Sequence, residues 1–311
     1  MPAFAIVEAP SHLGLRAAGV ELLPSALLAA GLPERLGARP GSALAAPAFD
    51  DRIDPQTRIL NADGLRDYSV RLADAVGAVL DRGEFPIVLG GDCSILLGNA
   101  LALRRRGRYG LLFIDGHADF YQPEAEPTGE AASMELALVT GRGPSIVTNL
   151  EGRRPLVRDE DVVVFAFRDA DHAAAEGSQP LPPAILAMDL ASVRQRGAVH
   201  AARAALAHLE RADGPAGFWI HFDADVLDDA IMPAVDYRLL DGLSWEELSS
   251  PERGRSPSER RRAGDHDLQP DPGRRRADRA QPGRCPHRGP RSMSRATSAR
   301  EAEPRNPCGR S

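Results

Sequence analysis

Three short polar clusters in this chain each follow an apolar run. Gly90-Gly91-Asp92-Cys93-Ser94 follows Pro86-Ile87-Val88-Leu89, Asp115-Gly116-His117-Ala118-Asp119 follows Gly110-Leu111-Leu112-Phe113-Ile114, and His221-Phe222-Asp223-Ala224-Asp225 continues Gly217-Phe218-Trp219-Ile220. In an Asp-x-His-x-Asp or Asp-x-Asp spacing, alternate side chains of an extended chain point the same way, so each set can grip one site from one side. Four carboxylates and a histidine sharing a crevice repel one another unless a cation offsets the charge. Hard oxygen and nitrogen donors suit Mn²⁺ or a similar divalent ion, and four carboxylates suit two ions better than one. A single DxH or DxD is most often a helix cap or a solvated turn. Two of them with a Gly-Gly-Asp turn, each behind an apolar run, favour convergence on one metal-binding crevice.

Convergence requires a scaffold, and the pattern around the clusters supplies one. Phe4-Ala5-Ile6-Val7 and residues 86–89, 110–114, 161–167 and 217–222 read as strands. Helices are expected near residues 25–30, over residues 68–82 from the spacing of Val70, Leu72, Ala73, Val76, Val79 and Leu80, over 95–104, and as one long amphipathic helix over 191–211. Strands apolar throughout and alternating with helices imply a parallel sheet covered on both faces. The expected fold is therefore α/β, a three-layer α/β/α domain with a central, mainly parallel sheet. Its ligand crevice lies at the carboxyl ends of the strands, where all three clusters sit.

Composition narrows the function. The 311 residues suffice for one large α/β domain or two small ones, and 43% are hydrophobic, as in an ordinary globular protein. The first residues lack the basic and apolar segments of a signal peptide, and no apolar run approaches membrane-spanning length, so a cytoplasmic protein with no membrane partner is expected. Cys93, Cys285 and Cys308 are too few and scattered for a disulfide framework. No lysine occurs. Residues 251–311 carry 16 Arg against 8 Asp and Glu, a net of +8, so the overall −6 leaves −14 on residues 1–250. An acidic body argues against nucleic-acid binding. Between Pro251 and Ser311 there is one Leu, Leu268, and no Ile, Val, Phe, Tyr or Trp. Such a segment buries too little apolar surface to offset the entropy of ordering it. The chain is thus expected to divide into an α/β domain that carries the metal-binding crevice, residues 1–248, and an Arg/Pro/Ser-rich tail, residues 249–311, either disordered or the product of a frame shift. One synonymous DNA spelling of Gly264 to Pro272, read one base later, encodes EITIYNPTL, a strand followed by a turn.

The clusters also carry a family resemblance. The ureohydrolases (arginases, agmatinases and formimidoylglutamases) contain GGDHS, DAHxD and SxDxD in this order and at comparable spacing, where this chain reads GGDCS, DGHAD and HFDAD. Gly19-Val20-Glu21-Leu22-Leu23-Pro24-Ser25-Ala26-Leu27 resembles the family's GVELGPxAL stretch, Phe167-Arg168-Asp169-Ala170-Asp171 its G-[IL]-R-D-x-D segment, and Asp241-Gly242-Leu243-Ser244 its GGLS turn. The resemblance covers residues 1 to about 248. It implies an arginase-like fold, a homo-oligomer (trimer or hexamer), and two Mn²⁺ per subunit held by Asp115, His117, Asp119, Asp223 and Asp225, with Asp115 and Asp223 bridging. It further implies hydrolysis of a C–N bond in a small guanidino or amidino substrate, releasing urea and an amine. In that scheme Asp119 is catalytic: it accepts the proton of the attacking hydroxide and passes it to the leaving amine. Asp171 matches a position that in arginases contacts the substrate's amino-acid end.

Departures from the family pattern matter as much. The first family ligand, a histidine, is Cys93 here, a softer donor than Mn²⁺ prefers. Cys93 is therefore either a sixth ligand or a buried small residue. Thr128-Gly129-Glu130-Ala131-Ala132 aligns with the arginase SGNLH, so the proton-shuttle histidine becomes Ala132 and a substrate-contacting Asn becomes Glu130. Thr128 and Glu130 are candidate contacts for a cationic substrate. The family's last core strand, with its guanidinium-binding Glu, is absent after residue 248. These departures leave a second reading open, a metal-binding pseudoenzyme with a scaffolding or regulatory role. Of the other histidines, His12, His172, His200 and His208 read as surface residues and His221 as a group that orients a ligand from behind.

Overall fold

The structure is a computed structural model that describes residues 3–16, 19–41 and 43–249. The expected tail lies, from residue 250 on, outside the described residues, as does any strand that would follow residue 248.

In chain order the elements are β1 (Phe4–Ala9), α1 (Leu23–Ala29), α2 (Leu32–Leu36), β2 (Ala38–Arg39), α3 (Ala62–Asp81), β3 (Phe85–Gly90), α4 (Leu96–Arg104), β4 (Gly110–Ile114), α5 (Glu135–Val139), α6 (Ser145–Thr148), β5 (Val162–Phe165), α7 (Ala170–Ala175), β6 (Leu186–Met188), α8 (Leu190–Arg196), α9 (Ala198–Leu209), β7 (Phe218–Phe222) and α10 (Trp245–Leu248). All strand pairing among them is parallel, as the alternation of apolar runs and helices predicts. It forms two sheets of order β2-β1-β3 and β6-β5-β4-β7.

Burial along β4 and β5 shows why the strands are apolar on both faces. Leu111 and Phe113 of β4, with Val162 and Val164 of β5, enter one core together with Leu65, Tyr68, Leu72 and Val76 of α3 and Leu97 and Leu101 of α4. The intervening Leu112, Val163 and Phe165 enter a second core with Val193 of α8 and Ala201, Ala205 and Leu209 of α9. Helices thus cover both faces, and the three-layer arrangement follows from a period of two along each strand.

Several boundaries differ from the sequence reading. Helix α3 starts at Ala62, six residues ahead of the expected start, because Asp63, Arg66 and Asp67 hide the apolar stripe there. The helix expected over residues 191–211 is two helices, broken at Gly197, whose φ of 80° and ψ of 131° only glycine adopts without strain. Strand β5 is shorter than residues 161–167, because Asp161 lies in a 3-10 turn and Ala166 turns out of the strand at φ 71°. Strand β6 has three residues, too few to show alternation.

Two consequences of the topology position the site. Ile114 pairs with both Phe165 and Phe222, so β4, β5 and β7 end at one rim. And β3 and β7 are each paired on one side only among the described residues, β3 with β1 and β7 with β4. Just beyond their carboxyl ends the two sheets meet through side chains, where the Cys93 thiol donates to Asp223 Oδ2 at 2.8 Å.

Candidate metal centre

The rim gathers the predicted residues. Leaving β4, Asp115 is buried, and its Oδ1 accepts the His117 backbone N–H at 2.7 Å, a tight turn that brings the His117 ring back over the strand end. Asp223 caps the 3-10 turn Ala224–Val226 by accepting the Asp225 N–H at 2.8 Å, and Asp92 likewise caps the turn Cys93–Ile95 through Ser94 N–H at 2.9 Å. Helix-type caps at two strand ends thus fix the direction in which Cys93 and the Asp223/Asp225 pair face. Asp225 Oδ2 meets His117 Nδ1 at 2.7 Å and its Oδ1 accepts the Gly116 N–H at 2.9 Å. Gly116 is required there: a Cβ would lie 2.5 Å from Arg168 Nη1 and 2.9 Å from the Asp225 carbonyl.

Donor atoms within 4.8 Å of one another form three overlapping groups that share Asp115. These are Cys93, Asp115, His221 and Asp223; Asp115, His117 and Asp225; and Asp115, Asp119 and Glu135. All six residues put forward as ligands from the sequence (Cys93, Asp115, His117, Asp119, Asp223, Asp225) are therefore brought together. Two that were not, His221 and Glu135, join them. His221 stacks on Phe113 with ring centroids 4.7 Å apart, and its Nε2 lies 3.6 Å from Asp115 Oδ2. Glu135, the first residue of α5, sits in the run Ala131-Ala132-Ser133-Met134-Glu135-Leu136-Ala137-Leu138-Val139. The signal that could have found it is a lone acid inside an otherwise apolar segment.

Electrostatics and hydrogen bonding test whether these donors fit a cation. Burial raises Asp115 and Asp119 well above the usual carboxylate range, and neighbouring carboxylates raise both further, Asp225 and Asp119 for Asp115 and Asp169 for Asp119. Asp223 is pushed up to about 6 by burial and by Asp225. Burial pulls His117 down, but the Asp225 hydrogen bond and the Asp119 charge outweigh it and carry it to about 9, so a cation bound by this imidazole must displace its proton. Burial raises the Cys93 thiol, as do Asp223 and Glu135. Buried atoms without any hydrogen-bond partner include Asp115 Oδ2, both Glu135 carboxylate oxygens and His221 Nε2. Orphaned acceptors on a set of hard oxygen and nitrogen donors are what a divalent cation would satisfy, so the residues fit the metal that the resemblance implies.

The expected substrate contacts are more dispersed. Asp171 is exposed on α7. Glu130 is buried, with Oε1 accepting the Arg16 backbone N–H at 2.9 Å and Oε2 accepting the Tyr237 hydroxyl. Thr128 donates its hydroxyl to Glu126 at 2.5 Å, and its carbonyl accepts from Arg16 Nη2 at 3.3 Å. Ala132 is half-buried, and its N–H donates to the Gly14 carbonyl at 3.0 Å.

Parallel, helix-covered sheets with a carboxylate–imidazole cluster at their strand ends define the class, an α/β protein with a candidate metal centre. Residues 2–253 match the model of the arginase family, and the chain belongs to that family. It is similar to the arginase of Bacillus caldovelox, at 30% identity over 262 residues covering 79% of this chain and 84% of that protein. It is also similar to the arginase of Bacillus subtilis strain 168, at 28% identity over 78% of this chain and 81% of that protein. The crystal structure of the B. caldovelox arginase superposes with a TM-score of 0.70, covering 79% of this chain and 84% of that one. Among the described residues no helix is long and apolar enough to cross a membrane.

Proposed function

We propose that the chain is a divalent-metal-dependent amidinohydrolase that cleaves a C–N bond of a linear guanidino or amidino compound, releasing urea and an amine. The observation that carries the reading is the convergence on Asp115 of three donor groups, from β3, β4, β7 and α5, with orphaned buried atoms among them. Asp115, His117, Asp119, Asp223 and Asp225 would hold two Mn²⁺ per subunit, with Cys93 as a weaker sixth donor. When bound, such a pair of ions lowers the pKa of a water and orients it for attack on the guanidinium carbon.

The chain's own residues do the rest. Asp119 takes the proton released by the nucleophile and passes it to the leaving nitrogen, which must be protonated before the C–N bond breaks. Glu130, held in place by the Arg16 backbone N–H and the Tyr237 hydroxyl, is the residue we assign to the cationic end of the substrate. Thr128 and the exposed Asp171 are assigned to the substrate's polar end. Small guanidino compounds are the partners this scheme requires. We assign the chain to the cytoplasm, with assembly into a closed homo-oligomer reserved for a form whose C-terminus is intact.

A second reading, a metal-binding protein without turnover, is favoured by one observation. At the position where the resemblance expects a proton-shuttling imidazole, Ala132 offers only a methyl group. The two readings separate in one experiment. The Mn²⁺-loaded protein is assayed for urea release from arginine, agmatine and shorter guanidino acids, beside Asp223→Ala. Release by the parent, lowered by at least about a thousandfold in the variant, is expected. Two ions bound with no release from any compound would favour the non-catalytic reading.

A further inference from the structure

Glu135 is the carboxylate of the cluster that none of the sequence motifs accounts for. It is 0% exposed, its neighbours Leu136, Ala137, Leu138 and Val139 are all buried and apolar, and neither of its oxygens has a hydrogen-bond partner. An unpaired carboxylate in such surroundings is costly unless a proton or a cation neutralises it. Its carboxylate lies with those of Asp115 and Asp119, the three donor atoms all within 4.8 Å of one another. Oxygens bound about 2.1–2.4 Å from one ion lie no further apart than about 4.8 Å, the trans separation, so this spacing matches three ligands of a single cation.

We propose that Glu135 is a further carboxylate ligand of the metal centre, coordinating on the side formed by Asp115 and Asp119. The inference rests on the divalent-metal reading given above. It assigns a hard oxygen donor to a centre whose Cys93 offers only sulfur, and it makes α5, an element outside the three strand-end motifs, part of the metal cage. Coordination would satisfy an orphaned oxygen of Glu135 and offset the repulsion between Glu135 and Asp119. A proton held between those two carboxylates is the rival explanation, and it predicts a purely structural role.

The test is Mn²⁺ binding by the full chain, read as ions retained after desalting and as the rise in melting temperature with added Mn²⁺. The parent is expected to bind two ions. Glu135→Gln, close to isosteric but uncharged, is expected to lose one ion or to weaken its binding by at least about tenfold, since even groups that only orient a ligand contribute that much. Its metal-free melting temperature should stay level or rise, because one of the mutually repelling charges is gone. Glu135→Asp, which keeps the charge but withdraws the carboxylate by one methylene, should bind Mn²⁺ more weakly than the parent. Parent-like stoichiometry and affinity in Glu135→Gln would overturn the proposal and leave the metal centre intact. If that variant does not fold, parent-like affinity in Glu135→Asp overturns it equally. A parent that binds no Mn²⁺ would bring down the metal reading and this proposal together.

Discussion

At the scale of single residues, Cys93 is the position where chemistry and geometry pull apart. Its Sγ sits within 4.8 Å of donor atoms on Asp115, His221 and Asp223, as a ligand should, yet the thiol donates its proton to Asp223 and is pushed up by burial and by Asp223. A thiol held protonated beside a carboxylate is a poor partner for a hard ion, and Mn²⁺ must displace that proton to use the sulfur. Cys93→His would place a borderline nitrogen donor at the same rim. It is expected to tighten Mn²⁺ binding by on the order of tenfold, the lower end of what a supporting group contributes at such centres. Isothermal titration of the two proteins checks this, and an unchanged Kd would show that position 93 does not face the ion. His221 is the imidazole already present on that side. Its ring, stacked on Phe113 and pulled down to about 4 by burial, stays neutral, the form in which histidine ligates.

At the scale of elements, the strand ends are held in register by an ion cluster at the opposite end of the sheet. Asp161, fully buried just before β5, accepts from Arg108 Nε and Nη2 at 2.6 and 2.8 Å and from Arg211 Nη2 at 2.6 Å. Arg108 precedes β4 and Arg211 follows α9, so one carboxylate ties together two strands and the helix that covers them. Removing one partner of such a cluster leaves buried charge uncompensated, and Asp161→Asn should cost about 3 kcal/mol, the low end of the usual range because both arginines keep some solvent contact. The pH dependence has a definite sign. Burial raises the Asp161 carboxyl, but the two guanidinium groups outweigh it and hold the carboxyl below its ordinary value. Its contribution is therefore complete above the unfolded-state value of about 3.9 and is lost as pH falls through the lower folded-state value. Urea melts at neutral pH should show the full difference between parent and variant, and melts below about pH 3.5 a smaller one.

The same scale shows what the sequence could reveal. Strands β3, β4 and β7 were legible because each switches abruptly from apolar residues to a polar cluster, and that switch is also what marked Cys93, Asp115, His117, Asp119, Asp223 and Asp225. Glu135 stood out only as a lone acid in an apolar run, and its place beside Asp115 and Asp119 depends on tertiary packing that no local spacing encodes. The break at Gly197 was hidden because Val193, Ala201 and Ala205 keep an apolar stripe running across it. The split into two sheets was hidden for a similar reason, since strand order is a property of pairing and not of periodicity.

At the scale of the whole molecule, the edges of β3 and β7 that are unpaired among the described residues are the feature with the largest consequence. Ile220 is 50% exposed and Phe222 46% exposed on one face of β7, and Phe85 at the start of β3 is 50% exposed, while Trp219 and His221 pack into the opposite side of β7. Parallel strands are ordinarily covered on both faces, and an apolar strand with free N–H and C=O groups templates pairing with another chain. Such pairing is open-ended, whereas a closed homo-oligomer would give one discrete mass. Sedimentation across the micromolar range is therefore expected to show growth with concentration that a single closed species does not explain. Ile220→Lys puts a charge on the exposed edge and should reduce both that growth and the binding of an apolar fluorescent dye. Because the site is half in solvent, the cost in stability should stay within about 0.5 kcal/mol. A single concentration-independent species that Ile220→Lys leaves unaltered would mean that the edge is covered in solution and does not template pairing between chains.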